Sequence, residues 1–318
     1  MTRIRAILLA VGFAGLFVVW GLAWTAKHIE HIGSGIAPLK ERVFDGFQVI
    51  TLGTGADRIN HNRAGPSIGI ALGSELILVD AGAGLVGSMR AAEIPARQPT
   101  SIILTSILPE NFVGLDDFLM ARAQEGATNA LHIIGPPGSK KTINRLWKGL
   151  EAALDLQTEI MVLQNIIPPT VSEIKESESF TVGSFKLDTI NVGQLTANFF
   201  AYRVWQKEKS VLVAGRAHDN KRLITFGQDC DFWFQGAHVR EALEAAIDSG
   251  ASEATRREAR SWIALEDLGA LATQMNVRAV ALTRLTPPPI FDFQYKRLVG
   301  RTFARPVFVA KDGDVFSP

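Results

Sequence analysis

A single cysteine, Cys230, stands in 318 residues, which excludes a disulfide framework and any Cys-rich metal site. The plain reading of that thiol is a small buried hydrophobe. Histidine is scarce too, at positions 28, 31, 61, 132, 218 and 238 only. The chain has almost no charge of one sign in excess, with a net value of +1, so nothing electrostatic points to a nucleic-acid partner. No tandem repeat of roughly 20–50 residues is visible. No Pro-, Gly- or Ser-rich linker divides the chain, which argues for one α/β domain after the amino-terminal segment. A charged fraction of 20% and an apolar fraction of 47% are those of an ordinary globular protein.

Against this plainness stands one long apolar run. From Ala6 to Ala26 there is no charged residue. Its length as a helix would be about 30 Å, the thickness of a hydrocarbon core. Trp20 and Trp24 lie toward one end, where interfacial anchors sit. A cleaved signal peptide is the competing reading, but its apolar region is normally shorter and Ala23-Trp24-Thr25-Ala26 makes a poor cleavage site. Residues 1–26 are therefore expected to be an uncleaved membrane anchor and 27–45 a linker with helical character, with the domain over 46–318. Arg3 and Arg5 before the run favour a cytoplasmic amino terminus, hence a bacterial inner-membrane protein with its domain on the periplasmic side. In the linker, His28 and His31 are read as solvated surface rather than a metal pair.

From Phe47 onward, short apolar strands alternate with helices. Strands are expected at Phe47–Leu52, Ser67–Leu72, Leu76–Asp80, Ser101–Leu104 and Leu131–Ile134. Helices are expected at Ala83–Ala92, Val113–Gln124 and Ser139–Leu154. The second half repeats the plan, with strands at Ser179–Thr181, Phe185–Asn191, Phe199–Trp205, Ser210–Val213, Phe232–Phe234 and Ala279–Leu282. Its helices are placed over Val239–Ile247, Glu253–Trp262 and Glu266–Met275, with one more before Pro306.

Five short patterns occur in order: Leu52-Gly53-Thr54-Gly55, Arg63-Ala64-Gly65-Pro66-Ser67, Asp80-Ala81-Gly82-Ala83-Gly84, Gly135-Pro136-Pro137-Gly138 and Leu282-Thr283-Arg284-Leu285-Thr286-Pro287. Each is weak alone. Together they resemble the ribonuclease Z-like branch of the metallo-β-lactamase superfamily across most of the chain. The resemblance implies a four-layer αβ/βα sandwich with its site at one edge of two central sheets. It also implies a T-H-x-H-x-D-H turn after the fourth strand, where this chain reads Thr105-Ser106-Ile107-Leu108-Pro109-Glu110-Asn111.

In active members of that family two zinc or manganese ions share a hydroxide, whose pKa the metal lowers toward neutrality. Matched position by position, the ligands become Ser106, Leu108, Glu110, Asn111, Gly193, Arg216 and Arg284 in this sequence. The further histidine often proposed as a proton donor aligns with Trp262, and the usual H-E pair with Gln235-Gly236. Only Glu110 is a competent donor. No bound metal or other cofactor is expected. A makeshift site from His61, His218 and Glu110 is the weaker alternative.

Two readings of Arg216 and Arg284 remain open. In one, the guanidinium groups pair with Glu110 and Asp80 and plug the former site, since an unpaired buried charge is costly. In the other, they bind an anionic small molecule. Lys140 and Lys141 are read as a solvated helix start. Ser106 with Glu110 and Asn111 has no His partner, and no G-x-S-x-G elbow occurs. The expected function is thus a membrane-anchored pseudoenzyme that scaffolds, binds an unidentified protein partner or senses an anion. A residual phosphodiesterase or ester/lactone hydrolase is the alternative.

Overall fold

The computed structural model describes residues 13, 15–26, 38–56, 62–161, 167–193, 198–217, 220–250, 252, 256 and 261–318. The chain divides into two compact units, Met1–Lys40 and Glu41–Pro318. In the first, residues 15–26 form a helix (α1). Its large side chains Leu16, Phe17, Val18, Val19, Trp20 and Leu22 are each more than half exposed. Among the described residues no helix is long and apolar enough to cross a membrane. The rest of the apolar run, the linker residues 27–37 with His28 and His31, and His61 and His218 all lie outside the described residues.

The second unit begins with β1 (Phe44–Gly53), three residues earlier than the sequence pattern places it. Asp45-Gly46 hides the start, because Gly46 sits at φ 76° and the pairing with β2 slips between Phe44 and Gln48. β2 (Ser67–Gly73), β3 (Glu75–Val79), β4 (Ser101–Ile103), β5 (His132–Gly135) and β6 (Thr170–Glu173) follow. The first sheet runs β15-β1-β2-β3-β4-β5-β6, where β15 is Val315–Phe316. The second runs β14-β13-β11-β10-β9-β8-β7, with the two-residue β12 (Ile263–Ala264) beside β11. Its members are β7 (Glu178–Val182), β8 (Phe185–Asn191), β9 (Phe200–Gln206), β10 (Lys209–Ala214), β11 (Phe232–His238), β13 (Ala279–Thr286) and β14 (Val307–Val309).

Three apolar cores define four layers. One lies between the sheets, where Val49, Ile70, Ile77 and Ile103 meet Phe185, Tyr202, Val213 and Phe234. The second packs the first sheet on α2 (Leu85–Ala91), α3 (Leu115–Gln124) and α4 (Ser139–Met161). The third packs the second sheet on α5 (Asn220–Phe226), α7 (Leu265–Gln274) and α8 (Asp292–Val299). α6 (Arg240–Asp248) follows β11. Of the expected Glu253–Trp262 helix, only residue 256 is described as helical and Trp262 is a bend.

Glycines set the closeness of the turns that carry the site. A Cβ on Gly114 would stand 2.0 Å from the Gly82 carbonyl oxygen, and one on Gly82 2.4 Å from Gly65 C. The Gly114 amide donates to the Ala81 carbonyl and the Gly65 amide to that of Ala83, which ties three turns together. This packing holds the loop after β4 against the end of β3.

Candidate functional site

The loop after β4 runs from Thr105 through a single turn of 3-10 helix at Pro109–Asn111 into α3. It brings Ser106, Glu110 and Asn111 to the end of the inter-sheet core, where β10 delivers Arg216 and β13 delivers Arg284. Two polar clusters result, each built on one arginine.

The first cluster centres on Asp80 and Arg284, which are 0% and 3% exposed. The Arg284 guanidinium pairs through Nη2 with Asp80 Oδ2, and its Nη1 donates to Asn111 Oδ1 at 2.8 Å. Asp80 also accepts from the Thr105 amide at 2.8 Å and the Thr105 hydroxyl at 2.7 Å. Asn111 Nδ2 then donates to Ser106 Oγ at 2.6 Å, which also accepts from the Leu108 amide at 3.1 Å. Asp80 and Arg284 both adopt left-handed backbone conformations, at φ 62° and 47°. Side chains rarely tolerate that region without enforcement by their surroundings. The fit around Arg284 is close, since a Cβ on Gly215 would stand 2.7 Å from its Nη1. Burial raises the Asp80 carboxyl above its ordinary value, against the opposing pull of the Arg284 guanidinium and then the Thr105 donors. Tyr202, whose hydroxyl donates to the Leu104 carbonyl, is driven well up by burial and then by the Asp80 charge.

The second cluster centres on Arg216. Its Nη2 donates to Glu110 Oε1 at 2.9 Å and its Nη1 to Ser261 Oγ at 2.6 Å. The guanidinium carbon lies 4.6 Å from the centre of the Trp262 ring, a cation–π stack. Trp262 packs in turn on Gly236, where a Cβ would stand 2.3 Å from its ring. Gln235 is fully buried and closes the floor by donating to the Gly215 and Gly236 carbonyls at 2.8 Å each.

Six of the eight positions singled out in the sequence are therefore joined: Ser106, Asn111 and Arg284 in one cluster, Glu110, Arg216 and Trp262 in the other. Leu108 turns instead into the apolar core of the second sheet. Gly193 follows β8, where its amide donates to Asn191 Oδ1 at 2.9 Å. Ser261 and Thr105 are partners that residue type alone could not have named. A cavity of about 550 Å³ lies beside Trp262, lined also by Ala217, Asn220, His238 and Arg240. Cys230 is fully buried, and burial raises its thiol to about 12.

The donor chemistry of this site does not suit a dinuclear metal centre. Zinc takes imidazole, thiolate or carboxylate ligands. Here Glu110 is the only such side chain at the seven positions, and Arg216 already engages its oxygen. The nearby buried carboxylate, Asp80, is likewise engaged by Arg284. Among the described residues no group of three or more His, Cys, Asp or Glu is arranged to hold a metal ion.

No family model matches the chain. It is 25% identical over 274 residues to a ribonuclease Z of Mycobacterium sp. (strain KMS), covering 83% of this chain and 94% of that protein. A ribonuclease Z of Pyrococcus horikoshii is 32% identical over 99 residues, or 31% of this chain and 32% of that protein. Among solved structures, the metallo-β-lactamase fold protein YhfI of Bacillus subtilis superposes with a TM-score of 0.66 at 15% identity, covering 86% of this chain and 99% of that one. The short form of human tRNase Z gives a TM-score of 0.63 at 16% identity, covering 85% and 98%. The chain has the metallo-β-lactamase fold, two sheets between two layers of helices. Its sequence is similar to ribonuclease Z over most of its length.

Proposed function

We propose that this chain is a non-catalytic member of the ribonuclease Z-like branch, carried on a membrane by its amino-terminal apolar segment and acting as a scaffold or partner-binding domain. The observation that carries the reading is the Asp80–Arg284–Asn111–Ser106 chain of contacts, in which a guanidinium fills the space between the loops that would hold metal. Glu110, the one ligand-type side chain left, is consumed by a second arginine. The plug is favoured over an anion-binding site by the same geometry. Arg284 is buried against a carboxylate, and Arg216 is held by Glu110, Ser261 and Trp262, so neither presents an open face to phosphate. Membrane attachment is supported by the uncharged run from Ala6 to Ala26 and by the exposed apolar side chains of α1.

The reading is tested by hydrolysis of bis(p-nitrophenyl) phosphate by the purified full chain in the presence of zinc or manganese. The expected rate equals that of the metal ions alone. Saturable turnover that scales with protein concentration and is lost in Glu110→Ala would contradict the proposal and support a residual hydrolase.

A further inference from the structure

The segment after β13 exposes a cluster of large apolar side chains. Ile290, Phe291 and Phe293 are 85%, 56% and 63% exposed, and the two phenylalanine rings lie 5.9 Å apart. They project from a rigidly held base. α8 buries Tyr295 and Val299 in the core, and the Tyr295 hydroxyl donates to the Pro287 carbonyl at 2.8 Å. The three consecutive prolines from Pro287 to Pro289 further restrict the loop. Lys296 and Arg297 are exposed on the same helix, three and four residues after Phe293, so they share its face. Arg301 is exposed four residues further on. The acidic residue of this surface, Asp292, is engaged by Lys311 at 3.4 Å.

We infer that this surface, Ile290, Phe291 and Phe293 backed by Lys296, Arg297 and Arg301, docks on an anionic lipid bilayer. Aromatic rings settle at the headgroup boundary while flanking cations meet acidic headgroups. Between Ile290 and Arg301 the sequence has three cations against one acidic residue, Asp292, which Lys311 engages, and this cationic balance suits a lipid surface of opposite charge. The inference rests on the membrane reading above. If the apolar run is embedded, residues 27–43 tether the domain within at most about 60 Å of the bilayer, and weak docking becomes effectively intramolecular.

The experiment uses the full chain with Ile290→Cys labelled by an environment-sensitive fluorophore such as NBD. Cys230 is buried, so the added thiol is the one the reagent reaches. The labelled chain is reconstituted into vesicles of phosphatidylcholine, or of two parts phosphatidylcholine to one part phosphatidylglycerol, and Glu176→Cys, an exposed site elsewhere, serves as the control. Docking predicts a blue shift and several-fold brightening at position 290 in the anionic vesicles, quenched by spin-labelled lipid, with position 176 unchanged. Lys296→Gln/Arg297→Gln/Arg301→Gln should lower the docked-to-undocked ratio about a hundredfold, since each cation near an acidic surface contributes about 1 kcal/mol. Flotation of the chain with the vesicles after an alkaline wash reports the anchor separately. Flotation with a water-like spectrum at 290, or an equal shift at 176, overturns the docking surface and leaves the anchor standing. Failure to float overturns the anchor. A blue shift at 290 on adding anionic vesicles to that unanchored chain would still support the docking surface, and its absence would overturn both.

Discussion

The Asp80–Arg284 pair is where a single side chain does most to define this protein. Removing one partner strands a buried charge, so Arg284→Met is expected to cost about 3–5 kcal/mol in chemical denaturation. Asp80→Asn/Arg284→Met should cost less than the sum of its two single changes, because it removes both charges together. Arg216→Met should cost less than Arg284→Met, since the Glu110 side chain keeps 12% of its surface in water. The reverse order would show that the buried pair is not what closes the site. The proposed loss of ligand chemistry rests on the family resemblance and on side-chain type, because Leu108 or Arg284 cannot hold zinc in any geometry. That each guanidinium needed a carboxylate was legible, from the cost of an unpaired buried charge. The stack of Arg216 on Trp262 and its bond to Ser261 were not, because they depend on how the turn before β12 meets the end of β10.

At the level of elements, turns of the site and turns of the surface should respond differently to one added carbon. Gly114→Ala forces a Cβ onto the Gly82 carbonyl and is expected to destabilise by about 3 kcal/mol, the upper end for an overpacked interior. Gly87→Ala, inside α2 with nothing within 4 Å of its Cβ, should instead stabilise by about 0.5–1 kcal/mol. Thermal unfolding of the two variants checks both signs, and destabilisation by Gly87→Ala would contradict the helix assignment. Long alternating elements were readable from apolar periodicity, and β8 at Phe185–Asn191 has the expected bounds. The β6, β14 and β15 strands were not, since each has only two to four residues and takes its conformation from a neighbouring strand. α4 runs on to Met161 because Asp155–Met161 contains no Gly or Pro to stop it.

At the scale of the whole molecule, two half-buried imidazoles give stability a defined pH dependence. Burial holds both His132 and His238 below the ordinary value of 6.5. A base with a depressed folded pKa binds protons more readily when unfolded, so its contribution is present above about pH 6.5 and is lost as pH falls below it. Urea midpoints should therefore decline on acidification from pH 7, and His132→Gln/His238→Gln should flatten that decline. An unchanged slope would show that other groups govern it. The fold was readable through the family resemblance that five glycine- and proline-marked turns carry in register; strand and helix alternation alone gave only the α/β class. The proposed function was readable only through the resemblance, which implies ligand positions that this sequence fills with other residue types but does not say how those residues pack.

That space is tested most directly by metal stoichiometry. The full chain, loaded with zinc or manganese and then desalted, is measured by elemental analysis. The plugged site predicts well under one ion per chain, unchanged in Glu110→Ala. One or two tightly held ions per chain, lost on that substitution, would contradict the account and restore the site as a metal centre.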